Sequence, residues 1–213
     1  MNRALAALAL ILATIPLALA LADDKPAEKP KPVVLDEATR AKLREIAFQA
    51  ARDGDVKTLS AYFETGLPAE IVNERGDTLL ILAAYHTHPE AVKVLLDQDK
   101  TPIEAKNKMG FTALTGAAYR GNLPIVKQLA AKGARLDAAN GKGQTPLMYA
   151  SMFGRAEVVA YLVEKKADLD AKDGEGRTAL DLAEAQDRKE VVNLLKEAAK
   201  SRKGEARSTQ GRP

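Results

Sequence analysis

Residues 143–159 read GQTPLMYASMFGRAEVV, and the first five positions of this stretch recur three more times along the chain. The matching segments are GDTLL at 76–80, GFTAL at 110–114 and GRTAL at 176–180. Their threonines, Thr78, Thr112, Thr145 and Thr178, are 34, 33 and 33 residues apart. A fixed period near 33 residues predicts a stacked array, in which each unit buries its apolar face only against its neighbours.

Each unit carries the pattern of two short helices. The threonine after the glycine can cap the first helix, because its hydroxyl accepts from exposed backbone N–H groups. The second helix carries a branched apolar pair, such as Ile125 and Val126, and Leu129 follows on the same face. A less regular unit precedes the four clear copies, with Asp36 and Asp55 as predicted helix caps.

The stretch at 143–159, which continues as ADLDAKD at 167–173, resembles the ankyrin repeat. The resemblance covers about residues 41–199. It implies an all-α solenoid of about five helix-turn-helix units with short hairpin-like loops, at residues 41–75, 76–109, 110–142, 143–175 and 176–199. No copy has the family's histidine three residues after the threonine, so we expect weaker hydrogen bonding between adjacent loops.

Charge is distributed unevenly along the 213 residues. The formal net charge is +3, but residues 200–213 alone carry five basic side chains and one acidic one. With Arg3 set aside and a neutral segment at 23–32, residues 33–199 carry a net charge of −2. This balance argues against a basic nucleic-acid-binding domain. The absence of cysteine excludes disulfides, thiolate nucleophiles and cysteine metal sites.

The first 22 residues have the pattern of an export signal. Arg3 precedes an almost continuous apolar run from Ala4 to Ala22, and the sequence ALA at 20–22 fits a signal-peptidase site. We predict cleavage after Ala22 and a periplasmic protein without a stable membrane anchor. The alternative is an uncleaved anchor, since this run could just span a bilayer; Pro16 and the alanines favour cleavage.

Two appendages flank the predicted 35–199 repeat domain. Residues 23–34 contain prolines spaced by charges, which predicts an extended, solvated linker. Residues 200–213 form a polar, basic tail that we predict to be disordered. We interpret it as a solvated tail; the alternative is contact with an anionic lipid surface, a nucleic acid or an acidic protein.

Signals for catalysis are sparse, so we predict that the protein is not an enzyme. The sequence contains two histidines, His86 and His88. A His-x-His pair can supply two metal ligands, but neither a nearby cysteine nor a carboxylate cluster completes a site. We predict no metal and no cofactor. The resemblance instead places His88 between the helices and leaves His86 facing solvent or a partner.

The resemblance also predicts a binding surface, formed by loop tips and by the exposed side of the first helices. Carried over position by position, the predicted partner-binding residues are Arg75, Asp77, Tyr85, His86, Met109, Phe111, Tyr119, Arg120, Lys142, Gln144, Met152 and Phe153. Apolar and aromatic residues flanked by arginine are the composition of contact hot spots. The alternative is that aromatics, Tyr149 and Phe153 first among them, pack between repeats.

We therefore predict a monomeric, non-catalytic periplasmic module that binds another envelope protein through a concave groove. The partner is a protein, not a nucleic acid. Similarity to small exported bacterial ankyrin-repeat proteins suggests peroxide defence in support of a catalase. The alternative is an immunity or inhibitor protein that neutralises an envelope-active toxin or hydrolase.

Overall fold

The computed structural model describes residues 36–210, with side chains described through Arg202. This part of the chain contains ten helices and no strand, which confirms the all-α prediction. In chain order the helices are α1 Glu37–Asp53, α2 Val56–Glu64, α3 Leu79–Tyr85, α4 Pro89–Leu96, α5 Ala113–Arg120, α6 Leu123–Ala131, α7 Pro146–Met152, α8 Ala156–Glu164, α9 Ala179–Ala185 and α10 Lys189–Gln210.

The helices form two layers of a solenoid. Each odd-numbered helix packs against the next even-numbered one and against the odd-numbered helix of the neighbouring unit. The even-numbered helices form a second row in the same way. The core lies between the layers and is built from fully buried aliphatic side chains such as Leu114, Leu147 and Val159. Small residues on the first helices, such as Ala83 and Ala117, let the units approach closely.

Polar side chains cap the helix starts as the sequence predicts. The hydroxyl of Thr78 accepts from the backbone N–H of Ile81 at 3.1 Å. Thr112, Thr145 and Thr178 make the equivalent bond. Asp36 caps α1 through the N–H of Thr39 at 2.8 Å. Each cap satisfies a donor that an isolated helix end would leave unpaired.

Left-handed backbone recurs with the same period as the sequence. Every unit has such a residue between its two helices, and in three units this residue is Gly54, Gly121 or Gly154. The other two units place Thr87 (φ 66°) and Asp187 (φ 51°) there. A branched threonine is strained in this region because its side chain crowds the following carbonyl.

Helix α10 extends past the predicted end of the repeat domain at residue 199. The segment that we predicted to be disordered from Lys200 continues α10 as far as Gln210. Within this helix, Arg202 Nη2 donates to the carbonyl of Ala167 at 2.6 Å. The predicted leader at 1–22 and linker at 23–34 lie outside the described residues. Within residues 36–210, no helix combines the length and the apolar character needed to cross a membrane.

Candidate protein-binding surface

Four hairpins connect the helix pairs, and an asparagine or aspartate shapes each of them. In the second hairpin, Asn107 Oδ1 accepts from the backbone N–H groups of Met109 and Phe111 at 3.0 and 2.9 Å. The same two bonds are made by the equivalent residues Asn73, Asn140 and Asp173. The side chain therefore replaces main-chain partners inside the turn and fixes the loop tip.

Adjacent hairpins are bonded to one another. Asn107 Nδ2 donates to the carboxylate of Asp77 at 2.7 Å, and the N–H of Lys108 donates to the carbonyl of Arg75 at 3.0 Å. Farther along the stack, the N–H of Gly174 donates to the carbonyl of Lys142 at 2.8 Å. Because the family's histidine is absent, we expected weaker hydrogen bonding between adjacent loops. In the structure, asparagine side chains and backbone groups supply hydrogen bonds there.

Aromatic rings form one continuous set of contacts across repeats 2 to 4, which we call the aromatic ladder. Its members are Tyr85, His86, Phe111, Tyr119, Tyr149 and Phe153. Tyr119 is central: its ring stacks on Tyr85 with centroids 5.7 Å apart and meets Phe153 edge-on at 4.5 Å. Such pairs add about 0.5–1.5 kcal/mol each beyond the burial of their area.

Tyr149 links the ladder to the second hairpin. Its ring lies 5.0 Å from that of Phe111 and 6.4 Å from that of Tyr119. The phenol donates to Gln144 Oε1 at 2.8 Å and accepts from Asn140 Nδ2 at 3.0 Å. Burial raises the pKa of Tyr149, so the phenol stays neutral and keeps both bonds.

Cationic and apolar side chains border the ladder. The guanidinium of Arg120 lies 5.6 Å from the centroid of the Tyr85 ring, a cation–π contact. Met109 is 68% exposed at the tip of the second hairpin, which is unusual for a large apolar side chain. Arg75 and Lys142 are exposed on the hairpins on either side. The surface thus combines aromatic, apolar and positively charged groups.

Comparison with known proteins identifies the fold. The family described as ankyrin repeats (3 copies) matches residues 47–140 and 117–204, which together span most of the chain. The chain belongs to the ankyrin-repeat family. Ankyrin repeats are protein–protein interaction modules, so the surface described above is where a partner protein would be sought.

Three relatives show the breadth of the family. The human ankyrin repeat and SOCS box protein 3 is 36% identical over 87 residues, or 40% of this chain and 17% of that protein. An ankyrin repeat protein of Pseudomonas aeruginosa is 39% identical over 67 residues, or 32% and 38%. Alpha-latrocrustotoxin-Lt1a of Latrodectus tredecimguttatus is 39% identical over 64 residues, or 30% and 4%. The chain thus matches well under two thirds of the length of each relative.

The ankyrin fold brings most of the predicted contact residues to one side. Tyr85, Phe111, Tyr119, Met152 and Phe153 are half-buried along the first helices and the second hairpin. The exposed residues among the predicted contacts are Arg75, His86, Met109, Arg120 and Lys142. Gln144 is half-buried because Tyr149 and Asn140 hold its side chain.

Asp77 is the predicted contact residue that the structure removes from the surface. It is only 7% exposed. Its carboxylate accepts from Asn107 and Asn73, so it ties two hairpins together and cannot reach a partner. The sequence placed it beside the loop glycine, but its direction depends on the neighbouring repeat.

The sequence interpretation did not include Tyr149 in the predicted surface, although it gave packing of this residue between repeats as the alternative. The residue is only 9% exposed, and its ring joins Phe111 to Tyr119. The available signal was its position four residues after the helix-capping Thr145, on the side of α7 that faces the hairpin.

The two histidines have separate surroundings. His88 Nε2 lies 2.7 Å from the carbonyl of Arg52 in the preceding repeat, which matches the predicted position between helices. His86 is exposed beside the Tyr85 ring. Partial burial, followed by the charges of His88, Arg52 and Arg120, lowers the pKa of His86, so its ring is mostly neutral at pH 7. Among residues 36–202, no group of three or more potential ligands could hold a metal.

Proposed function

We propose that this ankyrin-repeat protein is an exported, non-catalytic module that binds another envelope protein through its aromatic ladder. The observation that carries the proposal is the unbroken contact of six rings across three repeats, bordered by exposed Met109 and Arg120. Aromatic residues, methionine and arginine are the side chains enriched at protein interfaces.

The surface is suited to binding with little ordering cost. Tyr119 is held by three other rings, and Arg120 lies over Tyr85. The hairpin tips are fixed by asparagine side chains and by bonds between neighbouring loops. A partner therefore meets side chains already placed, and less of the interaction energy is lost in immobilising them.

Export is the second part of the proposal. It rests on the apolar run that ends in ALA at 20–22 and on the linker at 23–34. The partner would then be a periplasmic protein. Support of a catalase in peroxide defence is one form of this function, and neutralisation of an envelope-active toxin or hydrolase is the other.

Capture from a periplasmic extract tests the binding proposal. The bait is residues 23–213, compared with the double variant Met109→Glu with Arg120→Glu, which changes two exposed side chains beside the ladder. Loss of two hot-spot contacts is expected to lower recovery of a specific partner by about thirtyfold or more. Mass spectrometry of the captured protein distinguishes a catalase from a toxin or hydrolase.

The matched control is Lys57→Glu with Lys93→Glu, which reverses two exposed charges on the second-helix layer. This control should capture the partner as well as the wild-type bait does. Circular dichroism should show the same helical melt for all three proteins. Equal recovery by the Met109/Arg120 variant and the wild type would contradict binding at the surface that the ladder forms with these two neighbours.

A further inference from the structure

We infer that the segment bound by the aromatic ladder is an acidic protein segment that also carries apolar side chains. This inference rests on the proposed function and adds the chemistry of the partner to it. It is carried by four cations, which we call the cation border: Arg75, Lys108, Arg120 and Lys142.

The cation border is uncompensated within the described part of the chain. All four side chains are exposed, and none forms an ion pair with a carboxylate of residues 36–202. Elsewhere in the described chain some basic residues are paired, as Lys132 is with Asp97 at 3.2 Å and Lys196 with Glu184 at 2.8 Å. Others, such as Lys57 and Lys93 on the second-helix layer, have no ion pair with another described residue but lie away from the aromatic ladder. The four cations of the border therefore lie beside the aromatic ladder without a carboxylate partner of their own among the described residues.

Backbone bonds hold the cation border together with the apolar groups. The N–H of Lys108 donates to the carbonyl of Arg75, so the tips of the first two hairpins are adjacent. Met109 follows Lys108 directly, and Arg120 covers one face of the Tyr85 ring. A bound segment would therefore meet positive charge and apolar surface in alternation.

The fourth hairpin sets a limit to the positive surface. Glu175 stands there at the position that Arg75, Met109 and Lys142 occupy in the other hairpins. It is bonded to Arg177 at 2.9 Å, and Arg177 also binds Asp173. The basic tips belong to the first three hairpins, which places an acidic segment over repeats 2 to 4 and away from the C-terminal repeat.

Charge complementarity favours a protein over a nucleic acid. Glu74 precedes Arg75 at the first hairpin tip and is exposed, so the border is mixed in sign. Residues 33–199 as a whole carry a net charge of −2. Four cations on such a body suit a few carboxylates, which arginine can bind in bidentate fashion. A nucleic-acid site would need a continuous basic stripe.

Selection from a random displayed-peptide library tests the inference with residues 23–213 as bait. We expect the retained peptides to be enriched in aspartate and glutamate together with leucine or aromatic residues. A retained acidic peptide, labelled for fluorescence anisotropy, should bind more weakly as salt is raised. Its version with every acid changed to the amide should lose about tenfold or more in affinity.

The variant Arg75→Gln with Arg120→Gln and Lys142→Gln tests the cation border without adding charge. It should lower affinity for the acidic peptide by about tenfold or more. The control Lys42→Gln with Lys57→Gln and Lys93→Gln removes the same charge from exposed sites elsewhere and should have little effect.

The outcomes separate the two proposals. Absence of acidic enrichment, or equal binding of the acid and amide peptides, overturns the acidic partner. The proposed function then still stands, provided that the Met109/Arg120 variant fails to capture the natural partner. Tighter binding of a labelled single-stranded oligonucleotide than of any retained peptide also overturns the inference, in favour of a nucleic acid.

Discussion

Asp173 is the acidic member of the four equivalent residues that shape the hairpins. Its carboxylate accepts from Arg177 Nε and Nη2 at 3.0 and 2.8 Å. The Arg177 side chain holds the pKa of Asp173 below its ordinary value of 3.8. Asparagine serves the same turn in the other three hairpins, so Asp173→Asn can keep the loop and remove only the charge.

We predict that Asp173→Asn lowers the free energy of unfolding at pH 7. Because the folded pKa is depressed, the ionised carboxylate stabilises the fold above about pH 4, and this contribution disappears as pH falls through the folded pKa. Urea denaturation of both proteins across the acid range is the measurement. The difference between them should shrink as pH falls, and a constant difference would argue against the ion pair as its cause.

Thr87 occupies a left-handed position that glycine fills in three of the five units. We predict that Thr87→Gly raises the free energy of unfolding by about 1 kcal/mol, because relief of the strain outweighs the added entropy of the unfolded chain. Lys166→Gly is the control: its φ is 64°, but its side chain is unbranched, so the gain should be smaller. Chemical denaturation measures the free energy of unfolding of both variants. A larger gain for Lys166→Gly than for Thr87→Gly would contradict this explanation.

At the scale of the element, the second hairpin packs so closely against the third that a side chain at Gly110 would clash with it. A Cβ on Gly110 would lie 2.9 Å from the Asn140 Cβ and 3.0 Å from the Gly141 nitrogen. Gly133 has a similar positive φ but nothing within 4 Å of the same point. Alanine substitutions at these two positions therefore distinguish the effect of backbone strain alone from that of strain together with a steric clash between loops.

We predict that Gly133→Ala costs about 1 kcal/mol of stability and Gly110→Ala about 3 kcal/mol. The larger loss reflects a backbone that must move away from the third hairpin, as well as the left-handed φ. Thermal and urea unfolding give the two values. Equal losses would mean that the second hairpin can shift freely, and the close packing of adjacent loops would not limit this position.

At the scale of the whole molecule, Tyr119 couples three repeats because its ring touches Tyr85 on one side and Tyr149 and Phe153 on the other. Tyr161 lies on the second-helix layer, where its ring meets Lys127 and Lys165. In a solenoid, stability depends on contacts between neighbouring units, and a weakened interface lets repeats unfold separately.

Tyr119→Ala should lower the free energy of unfolding by about 2 kcal/mol and reduce the slope of the urea transition, since the Tyr119 ring contributes to the interfaces of repeat 3 with both repeat 2 and repeat 4. Tyr161→Ala removes the same type of side chain. It should lower the free energy of unfolding by less and leave the slope of the urea transition unchanged. Urea titrations followed by helical signal would show both effects. An unchanged slope for Tyr119→Ala would mean that the aliphatic core alone carries the coupling.

The sequence by itself determined the repeat, the helix pairs and their caps. These follow from a period near 33 residues and from interactions between residues three or four positions apart, such as that of Thr78 with Ile81. Such contacts are local, so the sequence of one repeat predicts them and the other repeats show the same pattern. The extent of α10 was not predicted, because composition does not report a contact such as the bond from Arg202 to the carbonyl of Ala167.

Only the tertiary structure decided which residues form the surface. Asp77 and Arg75 are neighbours on one loop, yet the first is buried against Asn107 and the second is exposed. The ladder joins Tyr85 to Tyr119 and Tyr119 to Phe153 across separate repeats. These directions depend on how each unit sits on the next one, and that stacking is set by packing among residues far apart in the chain.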